Sequence, residues 1–580
     1  MSGTVAASGA PDWWRYAVIY QVYPRSFADS DGDGTGDLPG ITAHLPYVRD
    51  LGVDAVWISP FYPSPQNDAG YDVADYCDVD PRFGTLADAD ALISRAHDLG
   101  LRVIVDLVPN HTSDRHRWFR SALDSPVGSR QRARYHFRAP DPEHPDTPPN
   151  NWRSNFGGSA RSKHPGDPHG QWYLHLFDSS QPDLNWDDPG VHDAFDGVLR
   201  FWLDRGVDGF RVDVAHGMVK EPGLPDTGDA SDARGTGETG DAAGADTMSS
   251  AASPYWDLDG VHDIYRRWRR IIDSYGTAEQ QRIMVAEAWV DPVDRIARYV
   301  RPGEHHQAFN FAFLDTRWNA ADLRTVITDS FRVNDAVGAP TTWVLSNHDV
   351  IRHATRLALS PQEAVTQLAG PVHEPDRATG LARARAATAL MLALPGSAYL
   401  YQGEELGLPE VLDIPDSARQ DPTFRRTRGT DHPELGRDGC RVPLPWTADA
   451  PGFGFGPADA AAPPWLPQPP VFADLAVDRQ AGDPDSTLEL YRTVLGLRRE
   501  LRTCEGRATV DTPASAEDAD IVTVTVTTPV TTVTVCTNTG TRPWTPPAGA
   551  RVVLATTPGV TTRVPPDCTV WLTGLGSRSE

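Results

Sequence analysis

Several short stretches of this 580-residue chain place acids, bases and hydrogen-bond donors where a strand would end. "GFRVDVAH" carries Arg211 and Asp213, "VAEAW" carries Glu287, and "LSNHD" carries His348 and Asp349. "DLVPNH" carries Asp106, Asn110 and His111, and "GYDVADY" adds Tyr71 and Asp72. Taken singly, an acid at a strand end is ordinarily a turn former or a helix cap. Capping does not call for so many carboxylates, with histidines and an arginine, on one rim. Asp213 lies between Val212 and Val214 in a strand-like run, where a buried charge is costly without a partner. Arg211, two positions earlier, would project to the same face and hold that acid ionised. Asp213, Glu287 and Asp349 together form a set suited to glycoside chemistry. One carboxylate attacks the anomeric carbon, a second, kept protonated, donates to the leaving oxygen, and a third orients sugar hydroxyls.

The elements that must position these groups are legible as apolar runs. Strands are expected at 17–23, 54–59, 102–108, 207–214, 282–289, 306–313, 341–349 and 397–405. Amphipathic segments lie between most of them. In 86–100 the apolar residues recur at helical spacing and Gly100 is placed to end the helix. Strands alternating with helices in this number predict an α/β protein built on a (β/α)8 TIM barrel, with its chemistry at the strand C-termini. An open doubly wound sheet is the competing architecture, but no Gly-rich phosphate loop follows the first strand.

Two intervals are too long for plain connections. Residues 111–185 read as a subdomain inserted after the third strand. Residues 221–253, nearly devoid of large apolar side chains, read as a mobile insertion. The expected division is therefore 1–110 for the first part of the barrel, 111–185 for the insertion, 186–505 for the rest of the barrel, and 506–580 for a C-terminal β-sandwich. The last of these is dense in Val and Thr with partial alternation, the mark of antiparallel strands.

Composition narrows the partners. A formal charge of −26 disfavours nucleic acid and anionic membranes. Lys163 and Lys220 are the only lysines, so nearly all the positive charge is arginine. Cys77, Cys440, Cys504, Cys536 and Cys568 are scattered without metal-ligand spacing. No basic-then-apolar leader and no membrane-length apolar run is visible, so a cytoplasmic location and no membrane partner are expected. Trp13, Trp14, Trp152, Trp172 and Trp186 are expected to pack, not to act as sugar platforms.

"DLVPNH", "GFRVDVAH", "VAEAW" and "LSNHD", in this order along the chain, resemble the conserved regions of the α-amylase superfamily of glycoside hydrolases. "QPDLNW" (181–186) resembles a short extra region of its oligosaccharide-acting branch, and "YQVYPRSFADSDGDGTGDLPGI" resembles the start of α-glucosidases and oligo-1,6-glucosidases. "GRDGCRVPLPW" (436–446) is similar to their "RDNARTPMQW" segment, and "NHDVIR" stands where they have "NHDQPR". The resemblance spans roughly 13–450. It implies Asp213 as nucleophile, Glu287 as general acid/base and Asp349 as the third carboxylate. It further implies that Asp72, His111, Arg211, His348 and Arg441 grip a terminal glucose, that Tyr71 stacks on its ring, and that Arg352 lies near the acceptor. The reaction would retain anomeric configuration through a covalent glucosyl-Asp213.

"DSDGDGTGD" spaces acids as in the first half of a calcium loop, with Gly34 at the bend and Gly40 where a full EF-hand would need Glu. The resemblance implies a structural Ca²⁺ held by Asp29, Asp31, Asp33, Asp37 and the Thr35 carbonyl. For substrate, Val214 after the nucleophile resembles α-1,6-acting members, whereas "DVAHG" resembles maltose-acting ones. The expectation is an exo-acting α-glucosidase on short malto-oligosaccharides, with α-1,6 action and glucosyl transfer left open. The alternative is a sugar isomerase or glucosyltransferase of the trehalose or isomaltulose synthase type. A non-catalytic relative is disfavoured because all three acids are present.

Overall fold

The computed structural model describes residues 12–227, 253–277, 280–359, 375–430 and 433–574. Most of the polar stretch expected to be mobile, near 221–253, lies outside these residues. In chain order the strands begin with β1 (Val18–Val22), β2 (Ala55–Ile58) and β3 (Arg102–Leu107). The short β4 (Phe137–Arg138), β5 (Arg161–Lys163) and β6 (Trp172–Leu174) follow, then β7 (Gly209–Val212), β8 (Ile283–Ala286), β9 (Gln307–Ala308), β10 (Thr342–Val344) and β11 (Ser397–Tyr401). β10-β11-β1-β2-β3-β7-β8-β9 is the hydrogen-bonded order of an eight-stranded sheet, with every pair parallel. A parallel bridge between Phe309 and Thr342 joins its two ends, so the sheet closes as the barrel the sequence predicts.

Alternation along each strand separates two cores. Ile19, Trp57, Ile104, Val285, Val344 and Tyr399 face inward and form one buried cluster. Their neighbours Tyr20, Val56, Ile58, Val103, Val105 and Met284 face outward into a larger cluster against the helices. Each such side chain, fully buried, contributes about 1.5–3 kcal/mol relative to exposure. α1 (Leu38–Leu51) is capped by Asp37, whose side chain accepts from the Gly40 N–H, and ends at Gly52 with φ 103°. α2 (Leu86–Asp98) opens on a capping box between Thr85 and Asp88; Gly100 beyond it takes φ +78°.

Three expectations are corrected. The run 306–313 is strand only over Gln307–Ala308, because Asn310 caps a short helix at Phe311–Leu314 by accepting the Phe313 N–H. β7 stops at Val212, so Asp213 lies just past the strand, not within it. In the tail, β12 (Arg507–Val510), β13 (Ile521–Thr527), β14 (Thr532–Asn538), β15 (Arg551–Ala555) and β16 (Cys568–Thr573) form one antiparallel sheet, where a sandwich was expected. The helices of the barrel supply its second layer. Trp571 donates to Ala389 O at 3.0 Å and Thr569 to Ala386 O at 2.8 Å, both on the helix Arg377–Ala393. The five tryptophans expected to pack are all buried. Among the described residues no helix is long and apolar enough to cross a membrane.

Candidate active site

The barrel register builds the centre of the site. β3 and β7 pair so that Asp106 and Arg211 are direct partners, and both turn into the barrel. Arg211 Nη1 donates to Asp106 Oδ1 and to Asp213 Oδ1, each at 2.7 Å, while Nη2 lies 2.6 Å from Glu287 Oε2. One guanidinium thus serves three carboxylates, from the ends of β3, β7 and β8. All four side chains are nearly or wholly buried. Trp57 Nε1 and the Tyr71 hydroxyl also donate to Asp106.

The charge balance has a chemical consequence. Three buried carboxylates against one cation favour retention of a proton in the group. Burial raises the Asp213 carboxyl well above its ordinary value, Arg211 opposes this, and Glu287 and Asp106 add to it. Asp106 is pushed up to about 6, by burial first, against the pull of Arg211. Just after Asp213 the backbone turns sharply. Val214 sits at φ 45°, an unfavourable conformation for a β-branched residue. In that conformation its N–H donates to Glu287 Oε2 at 3.0 Å, and the next N–H, of Ala215, donates to Glu287 O at 2.8 Å.

Asp349 occupies the opposite electrostatic state. Arg441 Nη2 and Arg437 Nη1 reach its Oδ1 at 2.8 and 3.0 Å, and His348 Nε2 lies 3.2 Å from its Oδ2. Burial acts to raise this carboxyl, but His348, Arg437, Arg441 and Arg211 hold it well below the usual carboxylate range. Burial pushes His348 itself well below its ordinary value; its Nδ1 meets Gln21 Nε2 at 2.8 Å and its ring stacks on Tyr71, centroids 5.1 Å apart. His111 is likewise pushed down by burial.

A pocket opens over these groups. Tyr71, His111, Asp213, Glu287 and Asp349 line it, with Val214 and Val350. Arg211, His348 and Arg441 lie buried directly beneath, in contact with the lining acids. Two expected contacts fail. Asp72 is fully buried and accepts from Ser64 Oγ and from the N–H groups of Asn67 and Asp68; burial pushes it up to about 7, and it holds the turn together. The lining acid of that loop is Asp68. Arg352 is committed to the carbonyls of Gln402 and Cys440 and lies over the Tyr401 ring, away from the pocket. The residues not anticipated are Asp68, Arg437, Asn155, Phe156, Phe177 and Trp289. Arg437 bridges Asp68 Oδ1 at 2.6 Å, Asp421 Oδ2 at 2.6 Å and Asp349. A signal for Arg437 was present, since it is the first arginine of the same "GRDGCR" string that holds Arg441. Asn155, Phe156 and Phe177 come from the insertion after β3, where nothing in the local pattern points to the barrel mouth.

The 29–37 loop forms a second acidic centre. Oxygen atoms of Asp29, Asp31 and Asp37 all lie within 4.8 Å of one another. Asp33, expected among them, does not join this group; its Oδ1 accepts the Thr35 N–H at 2.7 Å. Donors to the converging acids are backbone N–H groups, including those of Gly32 and Gly34 to Asp29, and the Ser30 hydroxyl to Asp37. Gly40 packs so closely that a Cβ would meet Ala28 O at 2.2 Å, which bars the EF-hand glutamate from that position. A hard cation with oxygen ligands fits such a donor set.

Comparison with known proteins agrees with this architecture. The alpha amylase catalytic domain model matches residues 21–505. A probable alpha-glucosidase of Rhizobium meliloti (strain 1021) is 40% identical over 507 residues, 84% of this chain and 83% of that protein. An oligo-1,6-glucosidase of Parageobacillus thermoglucosidasius is 34% identical, covering 84% of each chain. Among solved structures, an alpha-glucosyl transfer enzyme superposes with a TM-score of 0.79 at 35% identity, over 97% of this chain and 100% of its own. With the model match covering most of its length and the motifs gathered at one barrel mouth, the chain belongs to the alpha-amylase catalytic domain family of glycoside hydrolases.

Proposed function

We propose that the protein is a retaining α-glucosidase that releases glucose from the non-reducing ends of short α-glucosides, malto-oligosaccharides foremost. Asp213, paired with Arg211, attacks the anomeric carbon as its carboxylate, and the proton that the three acids keep among them is delivered by Glu287 to the departing glycosidic oxygen. Glu287 then takes a proton from the water that cleaves the glucosyl-Asp213 ester. What carries this reading is that one guanidinium, Arg211, holds both carboxylates. That closeness suits the separation of about 5–5.5 Å used for covalent attack, not the wider gap of about 6.5–9.5 Å that admits a water between the acids. Asp349, kept ionised among Arg437, Arg441 and His348, would accept hydrogen bonds from sugar hydroxyls and oppose positive charge on the ring. Tyr71, His111, His348, Arg441 and Asp68 would orient the glucose. The test is the anomer of the glucose first released from p-nitrophenyl α-glucoside, read by proton NMR before mutarotation. α-Glucose is expected; β-glucose would sink the mechanism.

Glucosyl transfer or sugar isomerisation is the second reading. Phe156, Phe177, Trp289, Val214 and Val350 give the pocket an apolar rim that disfavours water at the moment the ester is attacked. A transfer product or isomaltulose exceeding free glucose from maltose or sucrose would favour it. For the acidic loop, we propose a structural Ca²⁺ held by Asp29, Asp31 and Asp37, with the Thr35 carbonyl as a further oxygen donor. It would order the entry to α1 and take no part in bond cleavage.

A further inference from the structure

Beneath the pocket lies a buried amine that the proposed chemistry does not use. Lys220, one of the chain's two lysines, has a side chain only 1% exposed. Its Nζ meets three oxygens from three separate loops: Asp183 Oδ2 at 2.8 Å, Asn110 Oδ1 at 2.9 Å, and the Gly217 carbonyl. An ammonium has three protons, so each oxygen takes one and none is left over. Asp183, wholly buried, also accepts from Asn110 Nδ2 at 3.2 Å and from the Leu176 N–H at 2.8 Å. Isolated buried charges are costly; this pair is complete only with both members present.

Each of the three oxygens leads to a pocket residue. Asn110 Nδ2 lies 3.2 Å from His111 Nδ1, and His111 Nε2 lies 3.1 Å from Tyr71 O. The amide and that carbonyl together fix the orientation of the ring lining the pocket. Asp183 pairs with His111 in an antiparallel bridge, which ties the end of the insertion to the β3 loop. The Gly217 N–H donates to Val214 O at 2.9 Å. Its carbonyl, gripped by Lys220, thereby closes the turn that keeps Val214 at positive φ with its N–H on Glu287. Gly217 has no room for a side chain: a Cβ there would meet Trp256 and Val214 side chains at 2.6 and 2.7 Å.

We propose that Lys220 is a positioning residue whose ammonium acts as a tethered cation, drawing the β3 loop, the end of the insertion and the turn after Asp213 into one unit that orients His111 and Glu287. The inference rests on the reading of Asp213 and Glu287 as the reacting pair. A misplacement of about 1 Å at such a centre costs on the order of 100-fold in rate, so Lys220→Ala is expected to lose kcat by roughly that factor. The diagnostic readout is rescue. Ammonium or methylammonium added to folded Lys220→Ala should restore a substantial part of kcat on p-nitrophenyl α-glucoside, and sodium at equal ionic strength should not. A double variant, Lys220→Met with Asp183→Asn, removes both buried charges together and guards against simple unfolding. It should fold, by circular dichroism and melting, and still turn over slowly. Wild-type kcat in that double variant, equal effects of sodium and ammonium on Lys220→Ala, or failure of both variants to fold would overturn the assignment. Inactive wild-type protein would instead overturn the glucosidase reading, so the two failures are told apart.

Discussion

Two acid-rich regions of this molecule are neutralised in different ways. At the barrel mouth the counter-charge is covalently part of the chain: Arg211 serves Asp106, Asp213 and Glu287, and Arg437 and Arg441 serve Asp349. In the 29–37 loop, Asp29, Asp31 and Asp37 converge on backbone N–H groups and one hydroxyl. A guanidinium with fixed geometry can hold carboxylates in different protonation states side by side, which is what acid/base and nucleophilic roles require. Dipolar N–H groups alone only partly offset three converging acids, and the remaining attraction is for a free cation. The first arrangement suits chemistry; the second suits a structural ion.

The comparison is broken most sharply at the mouth. Asp213→Asn is expected to lower kcat on p-nitrophenyl α-glucoside by at least about 1,000-fold, in the range of a removed nucleophile, with the melting temperature unchanged or raised. Activity near wild type in that variant would mean that Asp213 is not the attacking group. Next in size is Arg437→Ala, which strips the cation from Asp68 and Asp421. Breaking a buried pair costs about 3–5 kcal/mol. A clear fall in melting temperature is therefore expected, with kcat/KM down about 10–100-fold, and an unaltered melting curve would show that the bridge contributes nothing.

At the loop, a chelator should lower the melting temperature by a few degrees, with recovery on adding Ca²⁺ and with kcat of the folded enzyme at low temperature unchanged. Loss of kcat in step with Ca²⁺ would place the ion in the chemistry and erase the contrast. The smallest effect is expected at a third group of acids, neutralised by a proton. Glu404, buried behind β11, is pushed up to about 8 by burial. A carboxyl raised in the folded state adds stability that is full below its unfolded value near 4.3 and is lost as pH climbs through the folded value. Glu404→Gln should therefore raise the melting temperature relative to wild type near pH 8, with the difference shrinking toward pH 5. A pH-independent difference would argue against a titrating Glu404.

The barrel was legible because alternation and helical spacing are local properties, and all eight strands fall within the apolar runs that predict them. Asp213, Glu287 and Asp349 were legible because strand ends in such a barrel converge by topology. The helix at Phe311–Leu314 was not, since a single Asn310 cap redirects an apolar run that reads as strand. The single C-terminal sheet was not, because the layer that covers it comes from barrel helices distant in the chain.

The loop after β2 marks the boundary between the two kinds of information. Sequence alone determined that the loop carrying Tyr71 and the "GRDGCR" string belong with the strand-end acids, and it named Asp72 and Arg441 from them. Only the tertiary structure decided that Asp68 reaches the pocket while Asp72 is consumed by its own turn, and that Arg437 enters while Arg352 is spent on carbonyls. The physical reason is that a motif fixes residue type and spacing, whereas the direction of a side chain depends on which hydrogen-bond partners the folded neighbours leave open to it.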